Sequence, residues 1–136
     1  MWQQEYSVET SASPETIWNI FTDVPGWTKW IEGLDSVEIR GLFAVGTELN
    51  LIPSGQGPVV SRLIEVNENE GFTDETRHGE VVIRVDHRIQ PISSKQTRIV
   101  YAIQVTGPSE ENIGQAISSD FPDVLKALSS LAESKG

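Results

Sequence analysis

Hydrophobic and polar positions change period twice along this chain. From Glu5 to Thr10, Tyr6 and Val8 alternate with polar neighbours, which predicts a short strand. Ser13-Pro14-Glu15 then carries the signals of a helix start. A serine can cap free N–H groups, a proline suits the first turn, and a glutamate complements the helix dipole. Ile17, Trp18, Ile20 and Phe21 form the apolar stripe of that helix, and Asp23-Val24-Pro25-Gly26 ends it. Trp27-Thr28-Lys29-Trp30 predicts one more short helical turn with both tryptophans on one side.

From Leu34 the alternation of strands takes over. Leu34–Arg40, Thr47–Ile52, Val59–Val66, Gly71–Arg77, Val81–Gln90 and Thr97–Thr106 are the expected strands. Gly41 and Gly46, the stretch 53–58, the stretch 67–70, His78-Gly79 and 93–95 separate them as turns. The connections are short, so neighbours should pair antiparallel as a meander. After Gly107-Pro108 the helical period returns. Ser109 is the expected cap, with Glu110 and Glu111 in the first turn. Ile113, Ile117, Phe121, Val124, Leu125, Leu128, Leu131 and Ala132 make a long apolar stripe. Pro122 falls inside it and predicts a kink or a break, because proline lacks the N–H that a helix interior needs. A curved antiparallel sheet must cover its apolar face, and the last helix is the cover. The fold class expected is α+β in two layers, with a gap between sheet and helix where an apolar ligand would sit.

Composition narrows the function. The 136 residues are 38% hydrophobic and 22% charged, which suits one folded domain spanning 1–136. No apolar run nears the roughly 20 residues of a membrane-spanning helix. Met1 to Glu5 shows neither a basic nor an apolar signal region. Cysteine is absent, which excludes disulfides, thiol nucleophiles and thiolate metal sites. A formal charge of −10 with no Lys/Arg cluster argues against nucleic acid and anionic membranes as partners. A cytoplasmic location is expected. The oligomeric state is open.

Several segments together resemble a known family. Ser11-Ala12-Ser13-Pro14-Glu15-Thr16-Ile17-Trp18 with Asp23 and 27–30 is similar to the opening of the polyketide cyclase/dehydrase-like proteins. These belong to the START-like (SRPBCC, helix-grip) superfamily, which includes relatives of the birch-pollen allergen. Phe72-Thr73-Asp74, the stretches 86–91, 97–101 and 106–108, and Phe121-Pro122-Asp123-Val124-Leu125 continue the likeness. The resemblance implies a helix-grip fold: a curved antiparallel sheet around a long C-terminal helix, with two short helices between the first two strands. It implies no catalytic residue, because the superfamily spans cyclases, lipid carriers, hormone receptors and chaperone activators.

The alternation in Val81–Ile89 puts Val81, Ile83, Val85, His87 and Ile89 on one face and Val82, Arg84, Asp86 and Arg88 on the other. The first set faces the core, so His87 points inward. An imidazole there is an acid, a base, a polar hook for a ligand, or a buried structural histidine. A three-residue loop at 93–95 sets His87 opposite Tyr101, which shares its face with Ile99, Ile103 and Val105. If Phe72 is inward, so is Asp74, and an inward carboxylate is costly unless paired. A two-residue turn at His78-Gly79 would set Asp74 opposite Ile83, too far from His87. Only a turn longer by two residues sets it opposite Val85 and permits an Asp–His pair.

Trp18 is expected in the core, Trp2 as packing at the terminus, and Trp30 at the ligand hollow. The ligand-lining candidates are therefore His87, Tyr101, Asp74, Phe72, Trp30, Ile83, Val85, Ile117 and Phe121. Arg84, Arg88 and Arg98 with Asp86, Glu75 and Arg77 should form ion pairs on a solvated outer face. The glycine-rich stretch 53–58 lacks the Lys-Ser/Thr of a phosphate loop and joins two strands. With only His78 and His87 and no ligand spacing, no metal and no cofactor is expected.

Three functions follow as expectations. The first is binding of a hydrophobic or amphipathic small molecule: a lipid, polyketide or aromatic metabolite. The second is a metal-free cyclase or dehydratase using a cavity acid/base group. The third is a protein-interaction module of the chaperone-activator kind.

Overall fold

A computed structural model describes residues 1–135. Seven strands form one antiparallel sheet: β1 (Trp2–Thr10), β2 (Leu34–Ile39), β3 (Glu48–Pro53), β4 (Val59–Asn67), β5 (Gly71–His78), β6 (Val81–Ser93) and β7 (Gln96–Thr106). Their spatial order is β1-β7-β6-β5-β4-β3-β2. The chain thus meanders from β2 to β7, and β7 closes back against β1. Helix α1 (Pro14–Thr22) and a 3₁₀ segment (Val24–Lys29) lie between β1 and β2, and α2 (Glu110–Ser118) and α3 (Phe121–Lys135) follow β7. The curved sheet, the C-terminal helix and the short helices after the first strand make the helix-grip arrangement expected.

Local chemistry accounts for most boundaries. Ser13 caps α1, its Oγ accepting from the Thr16 amide at 3.1 Å, and Pro14 follows in the first turn. Ser109 departs from expectation. It stands before α2 at φ 58°, in the left-handed region, and its side chain makes no capping bond. The expected long helix is broken rather than kinked. α2 stops at Ser118 and α3 starts at Phe121, so Pro122 falls in the first turn of a new helix, where its missing N–H costs nothing.

The two C-terminal helices pack differently. Val124, Leu125, Leu128 and Ala132 of α3 are buried in the main core with Ile17, Phe21, Trp27, Leu49, Leu63 and Ile99. On α2 the buried face is not the isoleucine stripe but the small residues Gly114 and Ser118. A Cβ at Gly114 would fall 2.2 Å from the Trp2 ring, so only glycine lets the indole lie on the helix. One turn on, the Ser118 hydroxyl lies 2.9 Å from Tyr6 Oη. Ile113 packs on a smaller cluster of Val81, Ile103 and Val105, while Ile117 is 36% exposed.

Candidate functional site

β5 and β6 supply the centre of the inner face. Their register pairs Phe72 with His87 and Asp74 with Val85. That is the register expected from a turn two residues longer, yet the turn itself still has two residues. It arises because β5 runs on through His78, which pairs with Val81, so the turn is Gly79-Glu80 rather than His78-Gly79. Gly79, at φ 61°, takes the first central position of that turn. His87 pairs with Tyr101 as expected. The connection is shorter than the expected loop, since Ser93 pairs with Gln96, and an irregularity between Pro91 and Ser93 absorbs the difference.

His87 sits in an aromatic nest. Its ring stacks on Phe72 with centroids 4.0 Å apart and planes 9° from parallel. Tyr101 meets it edge-on at 4.6 Å and Phe21 at 5.9 Å. Phe121 in turn stands edge-on to Tyr101 at 5.4 Å and to Tyr6 at 5.7 Å. His87 Nδ1 lies 3.3 Å from the Phe72 carbonyl oxygen. In the tautomer protonated at Nδ1 the ring donates to that carbonyl and leaves Nε2 as an acceptor.

Burial sets the electrostatics. It pushes the His87 pKa below the ordinary 6.5, against the pull of the nearby Asp74, so the imidazole is held neutral. It pushes Asp74 above 3.8, opposed by His87 and by the Ser61 hydroxyl. Tyr101 is pushed far above the usual phenol range by burial first, then by the charges of Asp74 and Asp120. Asp120, between α2 and α3, is itself raised by burial. A carboxyl, an imidazole and a phenol thus meet, each biased toward its uncharged form.

The wall around these groups is unevenly covered. Phe72, Ile89 and Ile99 are buried under α1, the 3₁₀ segment and α3. Further along the same strands, Asp74, Thr76, Ile83 and Val85 are only half-buried. α2 lies over β7 and β1, leaving β5 and β6 less covered at that end. No sealed side-chain nitrogen or oxygen among the described residues lacks a partner. Tyr101 Oη and His87 Nε2 make no hydrogen bond to another protein group.

Seven of the nine expected lining residues therefore gather at or beside this half-covered wall: His87, Tyr101, Asp74, Phe72, Ile83, Val85 and Phe121. Ile117 is at the rim, exposed beside the half-buried Ile113. Trp30 is 5% exposed and packs against Phe21 and Trp27 in the closed core. Ser61 and Thr76 share the inner face with Asp74, and Asp120 lies near enough to act on Tyr101; none of the three was among the expected lining residues. Ser61 and Thr76 were legible in the alternation of their strands, with Leu63 and Phe72. Asp120 had no signal, since its place depends on the break between the helices.

The outer face matches the expected ion pairs. Glu75 bonds Arg84 at 2.7 Å and Arg77 at 2.8 Å, Arg88 bonds Asp86 at 2.6 Å, and Arg98 bonds Glu9 at 3.1 Å. The Arg84 and Arg77 guanidinium groups hold the Glu75 carboxyl below the usual range. Two open depressions lie on the sheet. One, of ≈ 480 Å³, runs along Glu5–Glu9, Gln90 and Arg98, and the other, of ≈ 400 Å³, surrounds Glu65, Gly71, Asp86 and Arg88 and reaches Phe72 and His87. Among the described residues, no three His, Asp or Glu side chains come together as a metal ion would need. No helix among them is long and apolar enough to cross a membrane.

Comparison with known proteins agrees with this architecture. The chain superposes on a START superfamily protein from Mycobacterium smegmatis with TM-score 0.76 at 18% identity, covering 98% of this chain and 99% of that one. It superposes on norcoclaurine synthase from Thalictrum flavum, solved with dopamine and hydroxybenzaldehyde, with TM-score 0.79 at 16% identity, covering 99% and 88%. It does so on the Zhui aromatase/cyclase from Streptomyces sp. R1128 with TM-score 0.79 at 14% identity, covering 98% and 94%. At these identities the likeness is one of fold. Among curated proteins none matches the sequence. The family described as polyketide cyclase / dehydrase and lipid transport matches residues 1–133, and the chain belongs to that family.

Proposed function

We propose that the chain binds a hydrophobic or amphipathic small molecule in the hollow between the inner face of β5 and β6 and the α2–α3 junction. One observation carries this reading. Along these strands burial falls from Phe72 and Ile89 to Asp74, Ile83 and Val85, and at that step Tyr101 Oη and His87 Nε2 have no protein partner. Apolar walls supply affinity, and a few convergent polar atoms fix orientation. Phe72, Tyr101 and Phe121 offer ring edges and faces to a flat guest.

Titration with 2-naphthol, followed by tryptophan fluorescence, tests the reading. Saturable binding is expected. Tyr101→Phe should weaken it about fivefold, the value of one lost hydrogen bond near 1 kcal/mol. Ile83→Trp should abolish it by filling the hollow while circular dichroism stays unchanged. Binding undiminished in Ile83→Trp would refute the location.

A second reading, a cyclase or dehydratase, is favoured by an inward imidazole that shares one sheet face with the Asp74 carboxyl and the Tyr101 phenol. Nε2 of His87 would take a proton from a carbon flanked by carbonyls, while Asp74 or Tyr101 donates a hydrogen bond to the oxygen that gains charge. His87→Gln that binds a poly-β-ketone but no longer turns it over would support this chemistry. Equal turnover by His87→Gln and the unaltered chain would exclude it.

A further inference from the structure

We infer that the hollow selects by charge: it takes uncharged ring compounds bearing hydroxyl or carbonyl groups and refuses anionic amphiphiles such as fatty acids. The inference rests on the binding reading above and names the class of guest.

Its ground is where the cations are. Arg77, Arg84, Arg88 and Arg98 are committed to carboxylates on the outer face. Arg62 faces Glu48 on the same side, and Arg40 reaches the side-chain amide of Asn50. Lys29, Lys95, Lys126 and Lys135 are exposed. The charged groups that act most strongly on Asp74, His87 and Tyr101 are one another, Asp86 and Asp120, with no lysine or arginine among them.

A carboxylate head entering this space would leave water with no lysine or arginine to serve as its counter-ion. Burying an unpaired charge is among the costliest steps a binding site can demand. A hydroxyl or carbonyl makes no such demand. It finds an acceptor at His87 Nε2 and a donor at the Tyr101 hydroxyl. Because Asp74 has Ser61 beside it and no cation, it adds a further polar contact for an uncharged edge.

Matched pairs that differ only in head group, one aromatic and one acyclic, provide the test. 2-Naphthol and 2-naphthoate, and decanol and decanoate, are titrated into the full chain at neutral pH in low and in high salt. The expected result is binding of the uncharged member at least about tenfold tighter, retained at high salt, where the field of the −10 chain is screened but a desolvated site is not. Ile117→Lys, which places a cation at the exposed rim, should narrow the gap. Equal or tighter binding of the carboxylates, or a preference that vanishes in high salt, overturns the inference while leaving the binding reading intact. Failure of both members of both pairs to bind overturns the binding reading and the inference together.

Discussion

Phe72 and His87 face each other across β5 and β6, their rings 4.0 Å apart and within 9° of parallel. This stack fixes the imidazole plane, and the bond from Nδ1 to the Phe72 carbonyl fixes its rotation about that plane. The other ring nitrogen, Nε2, is then aimed by the sheet register itself rather than by a flexible loop.

Gly71 is the residue that makes the stack possible. It adopts φ 147°, and a Cβ there would fall 2.1 Å from the His87 carbonyl oxygen. Gly71→Ala must therefore push the two strands apart at the stack. A loss of about 2–3 kcal/mol in urea unfolding is expected, together with weaker ligand binding. A stability within about 0.5 kcal/mol of the unaltered chain would show that the strand contact is softer than described.

α2 is tied to β1 through Tyr6 and Ser118, 2.9 Å apart, with Ser118 also donating to the Gly114 carbonyl oxygen at 2.7 Å. Tyr6→Phe removes the tie and keeps the ring against Phe121. About 1 kcal/mol of local stability should be lost. Amide hydrogen exchange should quicken over Glu110–Ser118 and stay unchanged in α3, whose buried stripe is independent. Uniform quickening across both helices would contradict the separation of α2 from α3.

Asp74 and His87 predict opposite dependences of stability on pH. The folded imidazole titrates below 6.5, so as pH falls from 6.5 the unfolded chain takes up a proton that the folded one refuses, and stability declines. The folded Asp74 carboxyl titrates above 3.8, so its contribution is full below 3.8 and declines as pH rises toward its folded value. Asp74→Asn should therefore gain on the unaltered chain as pH climbs from 3.8, and His87→Gln should gain on it as pH drops from 6.5. Urea midpoints across that range measure both, and parallel curves for all three proteins would refute the assignment.

Most of the fold was legible because strand alternation and turn residues act locally. His87, Val85 and Ile83 share a face by strand geometry alone, and that face had to be the buried one. The register that brings Asp74 beside Val85 was not settled locally. It depends on whether β5 stops at Arg77 or continues through His78, and either end leaves a two-residue turn.

The isoleucine stripe of α2 misled for a different reason. Ile113 and Ile117 look like the buried face, but the helix approaches β1 so closely that only Gly114 and Ser118 fit beneath Trp2 and Tyr6. Small residues gave no apolar signal, and the contact lies far off in sequence. The same blindness hid Asp120, whose place follows from the break before Pro122.

Mapping amide chemical shifts by NMR during titration with 2-naphthol tests the proposed site most directly. Saturable shifts are expected at Asp74, Thr76, Ile83, Val85, His87, Tyr101 and Ile117. Shifts confined to the outer depression of Glu5, Glu9, Gln90 and Arg98, or none at any concentration reached, would contradict a ligand hollow inside the sheet.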